Sequence, residues 1–162
     1  MAKKATQPIP QGMQGLTTHM WFNGNCRKAI DFYKQAFGAE VRGAIVDDPN
    51  NERVMHAMLK LGDTHIMVAD AIPGGWEQGP TSGATMGFWM YVEDVDVSFQ
   101  KAREAGCKVL MEVEDSFWGD RMGKLKDPFG HTWALASQRW IYTEEEIQQN
   151  QEEWSGSLEE ED

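Results

Sequence analysis

The chain has 162 residues, 41% of them hydrophobic and 25% charged, with a formal net charge of −11. That length and composition suit one globular domain with a core of its own. Nine carboxylates and no Lys or Arg lie in residues 143–162, leaving a body close to neutral and without the basic patch that nucleic acid or an anionic bilayer requires, so neither is an expected partner.

Residues 1–15 carry Pro8, Pro10 and three Gln with little apolar content, and read as a mobile lead-in. The segment holds no apolar signal core, and no stretch of the chain approaches the roughly 18 unbroken apolar residues of a membrane helix, so a cytoplasmic protein is expected. Leu16 to Phe22 reads as a strand, and Asn23-Gly24-Asn25 as a turn and helix cap. Ala29, Ile30, Phe32, Tyr33, Ala36 and Phe37 then recur at helical spacing until Gly38. Strands are expected at 39–46, 54–61 and 65–70, the last two joined by the hairpin signal Gly62-Asp63. Residues 71–85, with two prolines and four glycines, form a linker loop.

The pattern then repeats. Met86 to Val92 is a strand, Asp94 to Ala105 a helix ended by Gly106, and Ala105-Gly106-Cys107-Lys108-Val109 aligns with Phe37-Gly38-Ala39-Glu40-Val41. The expected fold class is α+β: two tandem βαβββ modules, 16–70 and 86–138, whose curved mixed sheets form a cleft, followed by an acidic tail at 139–162. Thr143 ahead of three Glu opens a short helix, which Ile147 and Trp154 pin to the body, and the last eight residues are expected to stay disordered.

Asn23-Gly24-Asn25-Cys26, Ala29-Ile30-Asp31-Phe32-Tyr33, Tyr91-Val92-Glu93-Asp94, Phe117-Trp118-Gly119-Asp120-Arg121 and Asp127-Pro128-Phe129-Gly130-His131-Thr132-Trp133, in this order, resemble the PhnB-like branch of the glyoxalase/bleomycin resistance/dioxygenase superfamily, also called vicinal oxygen chelate. The resemblance covers about residues 16–138 and implies the same βαβββ pair. It also implies a place for a divalent ion, held by one residue from the first and one from the last strand of each module. Counted from Gly38, Gly106, His65 and His131, these positions fall at Thr18, Val68, Gly87 and Ala134, which are not ligands, so no metal and no cofactor is expected. A displaced set of His19, His56 and Asp70 is the competing possibility, while His65 and His131 fit a turn-fixing role.

Seven Trp are many for this length. Strand alternation sets Gly87, Trp89 and Tyr91 on one face, and Thr18, Met20 and Phe22 on the corresponding face of the first module. The ligand-binding candidates are Met20, Phe22, His56, Trp76, Trp89, Tyr91, Trp118 and Arg121, the last either a fork for an anionic ligand or a partner of Asp115, Asp120 or Asp127. For the aromatics the plain alternative is core packing. Cys26 and Cys107 form no CxxC motif and are expected to be inert thiols. The expected function is metal-free binding of a small molecule by a homodimer. The alternatives are a lyase, isomerase or dioxygenase with a displaced metal or Arg/His acid–base chemistry, and an interaction protein acting through its acidic tail.

Overall fold

A computed structural model describes residues 4–10, 12–13 and 15–159. The chain divides into two compact units, 1–80 and 81–162, so the boundary falls inside the expected linker loop. In the first unit β1 (Thr18–Phe22), α1 (Cys26–Phe37), β2 (Glu40–Asp47), β3 (Val54–Leu61) and β4 (Thr64–Asp70) form a four-stranded sheet in the order β1-β4-β3-β2. The second unit repeats it with β5 (Gly87–Tyr91), α2 (Val95–Ala105), β6 (Lys108–Asp115), β7 (Asp120–Lys126) and β8 (Thr132–Gln138), in the order β5-β8-β7-β6. In each sheet the first strand runs parallel to the last and the remaining pairs are antiparallel, giving the α+β mixed sheets that the repeat predicts.

The helices end where the glycines stand: Gly38 takes the left-handed conformation at φ 66°, and its N–H closes onto the Tyr33 carbonyl. At the start of α1 the cap differs from expectation. Asn25 is the capping residue but its side chain makes no capping bond; Asp70, 44 residues on, accepts from the Cys26 N–H at 3.0 Å, and its other oxygen accepts from Val54 N–H at 2.9 Å. Asn23 serves the loop instead. Its Oδ1 accepts from Gly79 N–H and its Nδ2 donates to the Pro80 carbonyl, tying the turn before the helix to the middle of the linker. A Cβ on Gly79 would lie 2.7 Å from the Asn23 side chain, so only glycine fits there.

Each helix covers one face of its own sheet. Met20 and Phe22 lie under α1, the Phe22 and Tyr33 rings 6.2 Å apart, together with Leu59, Ile66 and Val68. Under α2 lie Leu125, Trp133 and Leu135, with Gly123 so close to Phe99 that a Cβ would come within 2.6 Å of the ring. Neither α1 nor α2 lies on the other face of its sheet. In the first sheet alternation gives that open face to His19 and Trp21 of β1, His56 and Met58 of β3, and Met67 of β4.

A third helix, α3 (Glu144–Glu159), follows the second unit's sheet. Thr143 Oγ1 accepts from Glu146 N–H, and Glu146 Oε2 accepts from Thr143 N–H, the reciprocal box that the sequence predicts. The helix runs on through 155–159, where disorder is expected; residues 160–162 lie outside the described residues. Once the box has nucleated the first turn, a run of Glu and Gln propagates at little cost. Among the described residues no helix is long and apolar enough to cross a membrane.

Candidate functional site

On the open face of the second sheet, Trp89 and Tyr91 project from β5, beside Met122 of β7 and Ala134 and Ala136 of β8. The two alanines keep the floor flat, and the β6–β7 connection brings Trp118 down onto it, its ring centroid 6.3 Å from that of Trp89. Asp120 fixes this arrangement. It is only 3% exposed, and its Oδ2 accepts from the Tyr91 hydroxyl at 2.7 Å and from the Trp118 indole N–H at 2.8 Å. A carboxylate accepting two side-chain donors on one oxygen locks two rings whose sequence positions are 27 residues apart. Its hydrogen bond, followed by burial and its charge, raises the Tyr91 phenol above its ordinary pKa, so Tyr91 stays a neutral donor.

Two depressions meet at this wall. One, about 340 Å³, is lined by Gly87, Phe88, Trp89, Leu110, Lys124, Thr132, Trp133 and Ala134. The other, about 200 Å³, is lined by Trp89, Met111, residues 114–118, Met122, Lys124 and Trp154. Trp89 and Lys124 border both, so the indole stands as a partition and the ammonium is a cation within reach of either side.

The first unit offers a different surface. A depression of about 500 Å³ is walled by Asn23, Gly24, Arg53 and residues 71–78, with Trp76 wholly exposed at its rim. On the open face of the sheet the His19 ring lies 4.0 Å from that of Trp21. Burial first, and then the neighbouring His56, lower the His19 pKa against a partial pull from Glu77, which leaves a neutral imidazole whose buried Nε2 has no hydrogen-bond partner among the described residues.

The structure therefore gathers Trp89, Tyr91 and Trp118 in one wall and leaves His56 and Trp76 in the other unit. Three expectations are corrected. Met20 and Phe22 face α1, so they are core; the residues of β1 on the open face are His19 and Trp21. Arg121 is not open to a ligand: it points to the helix side, where its guanidinium donates twice to Asp96 at 2.8 Å and once to Asp115 at 3.2 Å. Asp70 cannot complete a site with His19 and His56, because it lies on the helix side and is engaged by two backbone N–H groups. Asp120, Lys124 and Trp154 also border this wall; the sequence reading names Asp120 only as a partner for Arg121 and Trp154 only as a pin for the last helix, and does not single out Lys124. The cue for Asp120 is a buried carboxylate that shares its face of β7 with the buried Met122.

The metal positions shift with β1. The open face carries His19 and its register partner Met67 in place of Thr18 and Val68, while Gly87 and Ala134 keep their places on the second sheet. One imidazole, a thioether, a glycine and an alanine do not fit a divalent ion, which takes several imidazole or carboxylate donors converging at one point. Among the described residues no three His, Cys, Asp or Glu side chains are grouped to hold one.

Cys26 and Cys107 are free and buried, and burial, with Asp70 or Asp127 nearby, pushes both thiols up to about 12. At neutral pH the native protein is expected to leave both unreacted with a water-soluble thiol reagent, while the unfolded chain reacts at both. Rapid labelling of either in the native state would contradict that burial.

A model of the Glyoxalase/Bleomycin resistance protein/Dioxygenase superfamily matches residues 16–135. An uncharacterized protein of Mycobacterium bovis is 42% identical over 112 residues, 66% of this chain and 72% of its own length; relatives from Mycobacterium tuberculosis match equally, and there the chain spans 65% of their length. Protein YjdN of Escherichia coli is 26% identical, over 74% of this chain and 92% of its own. Among solved structures, a protein from Bacillus cereus described as a putative 3-demethylubiquinone-9 3-methyltransferase, PhnB protein, aligns with a TM-score of 0.62 at 24% identity, covering 76% of this chain and 99% of its own. At that identity the likeness speaks for the fold alone.

Proposed function

The chain belongs to the Glyoxalase/Bleomycin resistance protein/Dioxygenase superfamily, and from that premise we propose that it binds a small, flat, largely apolar molecule on the aromatic open face of its second sheet, without a divalent metal. One observation carries this reading: Asp120 holds Tyr91 and Trp118 beside Trp89, with a depression on each side. Rings fixed before the ligand arrives lose little freedom on binding, so stacking area converts efficiently into affinity. A few polar groups, here Lys124 and the Tyr91 hydroxyl, suit the few orienting contacts that such sites use.

The protein is further proposed to act as a homodimer, since each sheet leaves edge strands that a second copy would cover. Two free thiols fit a cytoplasmic setting.

Two measurements test the binding reading. Prodan, a neutral naphthalene fluorophore, is expected to bind with a blue shift that reports an apolar pocket; no saturable binding would overturn the site. Elemental analysis of tag-free protein grown with zinc, nickel or manganese is expected to find far less than one equivalent. About one equivalent per chain, lost in His19→Ala, would overturn the metal-free reading.

A further inference from the structure

We propose that α3 is a ligand-selecting wall: its Trp154 completes the smaller aromatic depression and confines it to a planar molecule of one or two rings. This rests on the binding site proposed above and adds an element that the family's matched core does not contain, since the family model ends at residue 135, before α3 begins at Glu144.

Three contacts hold the helix to one short segment. Trp154 packs on Phe117 with ring centroids 5.7 Å apart, Asn150 Nδ2 donates to the Phe117 carbonyl at 3.1 Å, and the chain leading to α3 is tied down where Arg139 and Trp140 N–H groups both donate to the Gly119 carbonyl at 2.9 Å. Gly119 permits that last contact. It sits at φ 105°, and a Cβ there would lie 2.4 Å from the Trp140 carbonyl oxygen. Residues 117–119 are the same segment that delivers Trp118 to the wall, so the helix and the binding face share one support.

Trp154 is 49% exposed, which leaves half of it as surface for a ligand to stack on. With Phe117 and Trp118 in edge-to-face contact at 4.9 Å, it makes the depression an aromatic slot. At about 200 Å³ the slot lies below the usual range for drug-sized ligands, roughly 300–1,000 Å³, so the helix sets an upper limit on ligand size.

The test compares full-length protein with Trp154→Ala, Asn150→Ala and Trp89→Ala, titrating each with prodan and with its three-ring anthracene analogue, which carries the same substituents on one more ring. Melting temperatures confirm folding. Trp154→Ala is expected to weaken prodan binding at least about fivefold, the size of a lost aromatic pair with its buried area, and to improve the three-ring analogue relative to prodan. Asn150→Ala should move both in the same direction by less. If Trp89→Ala loses prodan while Trp154→Ala stays within about twofold of the parent for both probes, α3 is no wall and the binding face stands. Tighter prodan binding by Trp154→Ala would make the helix an obstruction and overturn the proposal. Failure of the parent protein to bind prodan would overturn the site and the wall together.

Discussion

Asp70→Ala is expected to destabilise the protein by roughly 3–6 kcal/mol, because two backbone N–H groups each lose a charged acceptor worth about 1.5–3 kcal/mol. Asp70 is 4% exposed, and it joins three elements: Cys26 at the start of α1, Val54 at the start of β3, and its own place at the end of β4. No water replaces it without opening the core around Phe22 and Val54, both fully buried. At about 2–4 °C per kcal/mol for a chain of this size, the melting temperature should fall by about 10 °C. Asp70→Asn keeps one acceptor oxygen but turns an NH₂ toward the second N–H, so it should fall between the two. A thermal melt of Asp70→Ala within about 2 °C of the parent would show that α1 does not depend on this cap.

Trp89→Ala is expected to reduce affinity for prodan at least about tenfold, or 1.4 kcal/mol, with little change in stability. The indole borders both depressions and stacks near Tyr91 and Trp118, so its removal takes ring surface from every position a flat ligand can occupy. It is 46% exposed, and its neighbours Ala134 and Ala136 are held by β7, so the sheet survives the change. Trp76→Ala is the natural control: that side chain is fully exposed in the other unit, and prodan binding should not respond to it. Equal losses from both substitutions would mean that the probe reads general hydrophobicity.

The repeat was legible because each module announces itself locally: a helical run, a glycine stop, a hairpin glycine. The capping box at Thr143 and Glu146 was legible for the same reason. In β5 alternation also assigns the face correctly, as Trp89 and Tyr91 are the exposed positions. In β1 it does not. Period two divides a strand into two sets but does not say which set meets the helix, and His19-Trp21 and Met20-Phe22 are both bulky and largely apolar; only burial under α1 separates them. That one-residue difference moved a histidine onto the open face.

Contacts made across long sequence separations were beyond local reading. Arg121 does take Asp115, one of the three partners that the sequence offers, but its main partner is Asp96, 25 residues away on the helix across from its strand, while Asp120 and Asp127 are engaged elsewhere. Asp120 collects Tyr91 from 29 residues upstream, and only the paired strands bring them together. Asn23 looks like a cap because capping residues and loop-clamping residues share the same side-chain chemistry, and the loop it clamps begins 48 residues later, at Ala71.

The most direct test of the binding face is a titration of isotopically labelled protein with prodan, followed through the indole N–H signals of the seven Trp residues. The Trp89, Trp118 and Trp154 signals should shift together and saturate, with Trp118 the most informative because its N–H is held by Asp120. Trp76 and Trp21, which belong to the first unit, should stay where they are. Saturable shifts at Trp21 or Trp76 with Trp89 and Trp118 unmoved would place the ligand on the first unit and contradict the account.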